Sequence, residues 1–249
     1  MAEEIIEGRN AVLEALRSGR PIGKILVAAG SRPGPLQELR RLARERGIPV
    51  QEVDRTRLDR LSGTGKHQGV IARALAREYA TVEEILQIAR ERGEDPFLLL
   101  LDGIEDPHNL GALIRTAECA GVHGVVVPKR RAAGLTAAVG RASAGALEYM
   151  AVAQVPNLAR CIEELKGQGI WVVGADPQGE QVYTAADLTG PIAVVIGGEG
   201  KGIGRLVKEK CDFLVQLPMR GRISSLNASV AGSLLMYEIL RQRAAKGAE

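Results

Sequence analysis

Aromatic side chains are scarce in this sequence of 249 residues, at 3% of the total. Proteins that hold single-stranded RNA by stacking on its bases use more of them. Any nucleic-acid contact is therefore expected to depend on arginine, lysine and backbone amides. Cysteine is scarce too, and Cys119, Cys161 and Cys211 include no Cys-x-x-Cys pair. This excludes a disulfide framework and a cysteine-rich zinc site, and it favours the reducing cytoplasm.

Long hydrophobic runs are missing as well. The longest, such as residues 97–101, are far shorter than the ~18–20 residues that span a bilayer. The first ten residues are acidic and polar, which is not typical of a signal or transit peptide. Because 45% of the residues are hydrophobic and 25% are charged, the composition is that of an ordinary soluble globular protein. We therefore expect a folded protein with no membrane segment.

The positive charge is concentrated near the N-terminus. Residues 1–75 hold 14 lysines and arginines against 9 acidic residues, residues 76–95 hold 3 against 6, and residues 96–249 hold 16 against 15. A basic segment indicates a surface that binds a polyanion. An ordinary solvated surface would have the same composition, so charge alone leaves both interpretations open.

The pattern of apolar residues predicts two α/β segments. In residues 1–75, helical spacing alternates with short strand-like runs, which predicts a small α/β domain. The acidic residues 76–95 are predicted to form a linker with one helix over 82–92. In residues 96–249, continuous apolar runs alternate with helices, which predicts a mostly parallel sheet covered on both faces.

Ligands of such sheets bind at the carboxyl ends of the strands, so three loops that follow predicted strands form the candidate site. The first loop, residues 102–121, contains Asn109, which is a good N-cap, and Arg115 in the helix that follows. A capped helix with a solvated arginine explains this pattern equally well. The apolar neighbours of Arg115 favour a position facing a cleft.

The second loop, residues 194–204, holds five glycines, which let the backbone approach a ligand closely. It matches neither Gly-x-Gly-x-x-Gly nor the Walker A motif, because Gly202 follows Lys201 where Ser or Thr is needed. A dinucleotide or phosphate cradle is therefore disfavoured. Glu199 is the one acidic residue among the glycines, and it is expected to accept amide N–H groups or to hold an arginine.

The third loop, residues 217–233, begins with Arg220 and Arg222 on a tip suited to phosphates. Ser224, Ser225 and Asn227 follow, before a helix rich in small residues. A run of helix N-cap residues explains one of these three polar side chains but not all of them. Small residues on one helix face allow another element to pack very closely.

Together these loops resemble the three motifs of the SpoU (TrmH) branch of the SPOUT RNA methyltransferases. The matching segments are NLGALIRTAECAG, IGGEG, and LPM followed by SSLNASVA, in the family's order. Residues 1–75 resemble the family's appended substrate-binding domain, which is similar to ribosomal protein L30e. Within them, EGRNAVLEAL and GKHQGVIA are similar to the 23S rRNA guanosine 2′-O-methyltransferases of the RlmB type.

The resemblance implies an α/β protein with an L30e-like RNA-binding domain over residues 1–75, a linker over 76–95 and a SPOUT domain over 96–249. The mostly parallel sheet of the SPOUT domain is expected to carry a deep trefoil knot. The resemblance also implies a cytoplasmic homodimer that acts on 23S rRNA, with each active site completed near the subunit boundary.

The implied reaction transfers a methyl group from S-adenosylmethionine to a ribose 2′-hydroxyl, without a metal ion. The catalytic residues that it implies are Arg115, Asn109, Glu199, Ser225 and Asn227. The residues expected to bind the cofactor are Gly197, Gly198, Leu217, Met219 and Leu226. The residues expected to contact RNA are Arg9, Lys66, His67, Arg220 and Arg222, with a structural role as the alternative for His67. Asn109 and Glu199 are expected to hold Arg115, with Glu199 accepting its N–H groups.

Other functions stay open. The tRNA enzymes of this branch generally lack the L30e-like domain, so residues 1–75 favour rRNA, whereas a resistance methyltransferase that modifies a 23S adenosine also carries such a domain. A non-catalytic RNA-binding protein on the same scaffold belongs to a different class, and the intact catalytic set argues against it. The role of Arg115 is open as well, since guanidinium has a pKa above ~12 and normally stays protonated. It either acts as the general base or stabilises the developing alkoxide.

Overall fold

The structure, a computed structural model, describes residues 3–31 and 34–246. These residues group into two compact units. The first unit contains the described residues up to Glu78 together with Gly134–Tyr149, and the second contains Tyr79–Ala133 and the described residues from Met150 onward. Each unit is built around a sheet of its own.

The strands are β1 (Glu3–Glu7), β2 (Ile22–Ala28), β3 (Val50–Val53), β4 (Val70–Leu75), β5 (Phe97–Asp102), β6 (Gly124–Pro128), β7 (Ala151–Val155), β8 (Trp171–Ala175), β9 (Gln181–Val182), β10 (Ile192–Gly197) and β11 (Phe213–Gln216). The α-helices are α1 (Arg9–Arg17), α2 (Gln37–Glu45), α3 (Arg55–Leu61), α4 (Val82–Arg92), α5 (Pro107–Cys119), α6 (Ala137–Ala142), α7 (Leu158–Lys166), α8 (Arg205–Lys210) and α9 (Ala228–Lys246). This alternation confirms the predicted α/β class.

The first unit has a mixed sheet with the strand order β1-β4-β2-β3. β4 is antiparallel to both β1 and β2, and β2 is parallel to β3. The side chains of β2 alternate between the two faces: Ile25 and Val27 pack in one apolar cluster with α1 and α2, whereas Leu26 and Ala28 pack in another with α3. This is the pattern of a strand that is buried on both faces.

The segment Gly134–Tyr149, which is distant in sequence, belongs to the first unit. Buried Glu148 accepts hydrogen bonds from Arg20 at 2.9 Å and from Arg77 at 2.7 Å. The hydroxyl of Tyr149 donates to Glu14 at 2.7 Å. Paired charges of this kind hold a segment in one geometry, because separating them would leave a buried carboxylate unpaired.

The second unit has a sheet in which every neighbouring pair of strands is parallel, in the order β7-β6-β5-β10-β8-β11-β9. Leu98 and Leu100 of β5 pack in a cluster with α4, α7 and α8. The opposite face carries α5 and α9, which approach each other closely at Gly232: a Cβ there would lie 2.5 Å from Leu113 Cδ2. The predicted parallel sheet with two covered faces and the close packing of the small-residue helix are thus observed.

Helix α4 occupies the range predicted for it within the acidic stretch. Its side chains Ile85 and Leu86 are buried in the core of the second unit. Just before the helix, Ala80 forms a parallel bridge with Ala153. The helix is therefore an integral layer of the second unit.

Helix α5 begins earlier than expected. Its N-cap is Asp106, whose carboxylate accepts hydrogen bonds from the backbone N–H groups of His108 and Asn109 at 3.3 and 3.2 Å. The assignment of Asn109 as the N-cap was wrong, because Pro107 suits the first helical position and aspartate caps as well as asparagine does. The side chain of Asn109 is thereby left for other contacts.

Two strands, β1 and β9, were missed by the sequence analysis. Both lie at the edge of a sheet, where a strand needs no continuous apolar run. Within the described parts of the chain, no helix combines the length and apolar character needed to cross a membrane.

Candidate active site

The three candidate loops converge at one edge of the second sheet. β5 and β10 are parallel neighbours, and Gly197 lies opposite Asp102 at their carboxyl ends. β11 runs in the same direction beyond β8. The loops that follow these strands therefore leave the sheet on the same side, as the topology rule for such sheets requires.

Two glycines let the loop after β10 fold tightly. A Cβ on Gly198 would lie 2.1 Å from the carbonyl oxygen of Gly103, and one on Gly197 would lie 2.1 Å from the carbonyl carbon of Gly202. No side chain fits at such distances from a backbone. Gly197 thus allows the loop after β10 to fold back on itself, and Gly198 brings it into contact with the loop after β5.

A hydrogen-bond network joins one residue from each loop. The Glu199 carboxylate accepts from the side-chain amides of Asn109, at 3.2 Å, and Asn227. The Asn227 amide also donates to the side-chain oxygen of Asn109 at 2.9 Å. Asn227 caps α9 at the same time, since its oxygen accepts from the backbone N–H of Ser229 at 2.9 Å. The network thus ties the glycine loop to the first turns of α5 and α9.

A cavity of about 820 Å³ adjoins this network. It is lined by all the residues that were predicted to bind the cofactor, namely Gly197, Gly198, Leu217, Met219 and Leu226. It is also lined by three of the predicted catalytic residues, namely Glu199, Ser225 and Asn227. Its wall combines backbone groups with apolar side chains, and an ion pair between Lys208 and Asp176 lies on it at 2.5 Å. Such a lining suits a ligand that has an aromatic base and a charged end.

Arg115 does not join the network. It is exposed on α5, and no hydrogen bond or ion pair connects it to any other residue that the structure describes. The expectation that Glu199 accepts its N–H groups was wrong for the single chain, because the Glu199 carboxylate is engaged by Asn109 and Asn227 instead. A guanidinium in this position is free to reach a ligand or another chain.

Three other predicted site residues are exposed and form no polar contacts within the described chain. Ser225, Arg220 and Arg222 form no hydrogen bond or ion pair with the part of the chain that is described. Ser225 nevertheless faces the cavity. The two arginines lie on the loop between β11 and α9, where they are accessible to an anionic ligand.

In the first unit, the loop between α3 and β4 is held by a buried carboxylate. Glu7 accepts hydrogen bonds from the hydroxyls of Ser62, at 2.7 Å, and Thr64, and from the backbone N–H of Gly63 at 2.7 Å. Burial alone would raise the pKa of Glu7, but these hydrogen bonds and the nearby charge of Arg141 outweigh it and lower the pKa. The carboxylate therefore stays ionised and organises the loop.

Lys66 is exposed on this loop, as expected for a residue that contacts RNA, whereas Arg9 is half-buried at the start of α1. The Arg9 guanidinium donates to the backbone oxygen of Gln68 at 3.1 Å. His67 differs, since only 2% of its side chain is exposed. One ring nitrogen lies 2.8 Å from the Asp59 carboxylate and the other accepts the Gly69 N–H at 3.0 Å.

The expectation that His67 contacts RNA is therefore wrong, and the structural alternative holds. Both ring nitrogens are occupied within the first unit, and the ring is buried. Nδ1 is the ring nitrogen that accepts the Gly69 N–H, and Nε2 is the one that faces the Asp59 carboxylate. The function of His67 is to fix the loop that presents Lys66.

The sequence analysis missed two residues at the edge of the site. Asp102 accepts a hydrogen bond from the backbone N–H of Gly204 at 2.7 Å, which anchors the far end of the glycine loop. Its place directly after an apolar strand was a usable signal. Arg131 lines a second cavity beside the network. Its backbone has a φ of 60°, an unusual value for a residue other than glycine, and nothing in the sequence indicates it.

Comparison with known proteins agrees with this architecture. Residues 96–237 match the model of the SpoU rRNA methylase family, and residues 5–80 match that of the RNA 2′-O ribose methyltransferase substrate-binding domain. YacO of Bacillus subtilis, whose name assigns it to the TrmH family of tRNA/rRNA methyltransferases, is 52% identical over 240 residues, which are 96% of each chain.

Two solved structures show how far the likeness extends. The SpoU methyltransferase AviRb of Streptomyces viridochromogenes, in complex with AdoMet, is similar over 98% of this chain and 91% of its own, with 26% identity and a TM-score of 0.80. The TrmH/SpoU tRNA-modifying enzyme of A. aeolicus is similar over 66% of this chain and 85% of its own, with 27% identity and a TM-score of 0.56.

The fold and the site thus define an RNA methyltransferase that uses S-adenosylmethionine. The chain belongs to the SpoU (TrmH) family, and its SPOUT fold carries a deep trefoil knot. The cavity lining fits the cofactor, since the peptide groups at Gly197 and the apolar side chains of Leu217 and Leu226 suit an adenosine. When bound, the sulfonium group supplies a methyl group that is already activated for transfer.

Proposed function

We propose that the protein methylates the ribose 2′-hydroxyl of a guanosine in 23S rRNA, as an enzyme of the RlmB type. The observation that carries this proposal is the network of Glu199, Asn109 and Asn227 at the edge of the cofactor cavity. It supplies oriented polar groups beside the place from which a methyl group is transferred. Because the sulfonium is its own activating group, the residues need only place the ribose oxygen in line at ~3 Å and assist loss of its proton.

The positions of Ser225 and Asn227 support the roles that we propose for them. Ser225 and Asn227 line the cofactor cavity, where they orient the ribose or the cofactor by hydrogen bonds. Arg115 approaches the ribose and either removes its proton or stabilises the developing alkoxide. Because guanidinium rarely loses a proton, electrostatic stabilisation is the favoured of these two roles.

We further propose that the enzyme is a homodimer and that Arg115 acts in the site of the partner subunit. The support is the face of α9 beside α5, where Val230, Leu234 and Tyr237 are 46%, 41% and 51% exposed. Contiguous exposed apolar side chains of this kind mark protein interfaces. The hydroxyls of Thr116 on α5 and Ser233 on α9 lie 2.9 Å apart, so Arg115 borders this face.

The choice of rRNA over tRNA is supported by the first unit. The match to the tRNA-modifying enzyme covers 66% of this chain, whereas residues 5–80 of this chain match a separate RNA 2′-O ribose methyltransferase substrate-binding domain. Exposed Lys66 and half-buried Arg9 belong to the additional unit, and together with Arg220 and Arg222 they are the proposed contacts with RNA phosphates. The proposed compartment is the cytoplasm, where the rRNA is found.

Incubation of the protein with tritiated S-adenosylmethionine and separate RNAs tests the proposal. The substrates are 23S rRNA, 16S rRNA, tRNA and assembled ribosomal subunits, and mass spectrometry of the digested RNA identifies the labelled nucleotide. We expect 2′-O-methylguanosine at one position of 23S rRNA, and no label with the Arg115→Ala variant. Label in tRNA alone would overturn the substrate, 2′-O-methyladenosine would favour the resistance type, and no label in any RNA would favour the non-catalytic alternative.

Mixed dimers test the shared site. Neither Arg115→Ala nor Glu199→Ala homodimers are expected to be active. If Arg115 acts in the partner's site, a heterodimer of the two variants contains one site with both residues intact, so mixing them restores part of the activity. Absence of any recovery in mixtures shown by native mass spectrometry to contain heterodimers would place Arg115 in its own subunit's site.

A further inference from the structure

A second cavity, of about 320 Å³, adjoins the cofactor cavity along the glycine loop. Gly198, Glu199, Lys201 and Gly202 line both cavities. Asn109 lines the second cavity and Asn227 the first, and their side chains are hydrogen-bonded to each other. The network described above therefore separates the two spaces, and a ligand in the second cavity would be next to the cofactor.

Most of the acidic groups on the second cavity already have structural partners. Asp102 accepts from the N–H of Gly204, Asp106 caps α5, and Glu199 accepts from two asparagines. Glu105 is different, because its carboxylate forms no hydrogen bond or ion pair with any residue in the described ranges. It is a free acceptor on the wall of a small cavity.

Arg131 and Lys201 supply the positive charges of this cavity, and within the described chain neither forms a hydrogen bond or ion pair. The loop that carries Arg131 is fixed to the loop that carries Glu105, since the N–H of Ala133 donates to the carbonyl of Ile104 at 2.9 Å. Glu105 and Arg131 are therefore held on adjoining backbone segments. A carboxylate and a guanidinium are presented together without being paired to each other.

The charge of the cavity indicates which part of an RNA would enter it. Four carboxylates line it against two cations, so it repels a phosphate. A nucleobase has no charge and offers N–H donors and ring acceptors along its edges. The volume of the cavity lies at the lower end of the range for small-molecule sites, which suits a single base.

We propose that this cavity receives the base of the target nucleotide and that Glu105 and Arg131 select guanine. Guanine presents two adjacent donors, N1–H and the 2-amino group, that one carboxylate can accept together. It also presents O6 and N7, the acceptor pair that arginine binds most often. Adenine has an amino group where guanine has O6, so its donor would face the donors of Arg131, and it has no 2-amino group for Glu105. The inference rests on the proposed function and names the residues that determine its base specificity.

The test uses the full-length protein and an RNA that contains the mapped target site. The target guanosine is replaced in turn by inosine, which lacks the 2-amino group, and by adenosine. For the wild type we expect guanosine to be preferred over inosine by about 10- to 100-fold in kcat/KM. In Glu105→Gln this preference should disappear. In Arg131→Ala the preference over adenosine should fall by at least about tenfold.

The matched control is Glu91→Gln, which removes an exposed carboxylate on α4 that lines neither cavity. It should retain the selectivity of the wild type. A second measurement, independent of turnover, is the affinity of the protein saturated with S-adenosylhomocysteine for the same RNAs by fluorescence anisotropy. There the discrimination between guanosine and inosine should again vanish only in Glu105→Gln.

The outcomes separate this inference from the proposed function. If the wild type methylates no guanosine in 23S rRNA, the proposed function fails. If it methylates the guanosine but accepts inosine and adenosine equally well, or if Glu105→Gln and Arg131→Ala keep the selectivity of the wild type, the proposed function stands and the inference is overturned.

Discussion

The two units hold their functional loops in opposite ways. In the first unit, the loop between α3 and β4 is fixed from inside, by the buried carboxylate of Glu7 and the buried ring of His67. In the second unit, the loops are fixed by close contacts between glycine backbones and by Glu199, Asn109 and Asn227, which line the cavities themselves. The residues that stabilise a loop whose exposed cations contact RNA can be buried. The polar residues of a catalytic loop must instead line the cavity where the ligand binds.

Substitution of Arg115 by alanine should have the largest effect, because it removes the one cation of α5 that is free to reach the ribose. We expect kcat/KM to fall by roughly 10²- to 10⁴-fold, with little change in stability since the Arg115 side chain is exposed and its guanidinium forms no hydrogen bond or ion pair within the described chain. Methyl transfer and thermal unfolding of the variant check the two parts. A large loss of stability would show that Arg115 has a structural role instead.

Arg115→Lys distinguishes between the two chemical roles. Lysine gives up a proton more readily than arginine, so recovery of activity with rising pH indicates that the residue acts as a base. Activity that stays low and flat across the pH range indicates that the guanidinium stabilises the alkoxide. The wild-type profile, measured on the same RNA, is the control.

Gly198→Ala should displace the loops after β5 and β10 in the second unit, because the new side chain would clash with the backbone. Its Cβ would lie 2.1 Å from the carbonyl oxygen of Gly103, so the loops after β5 and β10 must move apart. We expect loss of cofactor affinity and a decrease of about 1–3 kcal/mol in the free energy of unfolding. Gly200→Ala is the contrasting variant, because open space surrounds that position, although its φ of 80° brings some strain. Equal losses in both variants would contradict the importance of the contact with Gly103.

Glu7→Gln tests whether the buried Glu7 carboxylate stabilises the loop between α3 and β4 in the first unit. The amide has one acceptor fewer for the donors of Ser62, Gly63 and Thr64, so we expect a loss of about 1–3 kcal/mol. Hydrogen exchange should rise in the strands of the first unit but not in those of the second. Glu3→Gln, an exposed position on the same strand, is the control. Equal exchange in the two variants would show that Glu7 does not organise the loop.

The pH dependence of the stabilisation by Glu7 follows from the direction of its pKa shift. The folded state lowers the pKa of Glu7 below the ordinary value of 4.5, so the stabilisation is fully present above that value. It is lost as the pH falls through the lowered pKa of the folded state. In a titration of unfolding free energy from pH 7 to acid, the gap between the wild type and Glu7→Gln should therefore narrow only below about pH 4.5.

The sequence predicted the strands of the second unit apart from the edge strand β9, because buried parallel strands are continuous apolar runs, as in residues 97–101. It also identified the loops of the site, since their residues resemble a known family. It could not show that Asn109 is a partner of Glu199 rather than an N-cap, because Asp106 and Asn109 have equal capping propensity. The exposure of Arg115 and the burial of His67 depend on packing between distant segments, which no local pattern records.

Lys66→Ala should have the smallest effect. It tests whether the loop of the first unit contributes to RNA binding and not to methyl transfer. Lys66 is exposed on the loop that Glu7 and His67 support, so its loss should remove one proposed phosphate contact without disturbing the fold. We expect the affinity for rRNA to fall by a few fold and the slope of log affinity against log salt to decrease by about 1, with kcat and the melting temperature unchanged. Lys24→Ala, half-buried on β2 and remote in sequence from the loop, should leave the slope unchanged. If Lys66→Ala instead lowered kcat while the salt slope stayed constant, the first unit would contribute to the chemistry, and the division of labour between presenting and reacting loops would not hold.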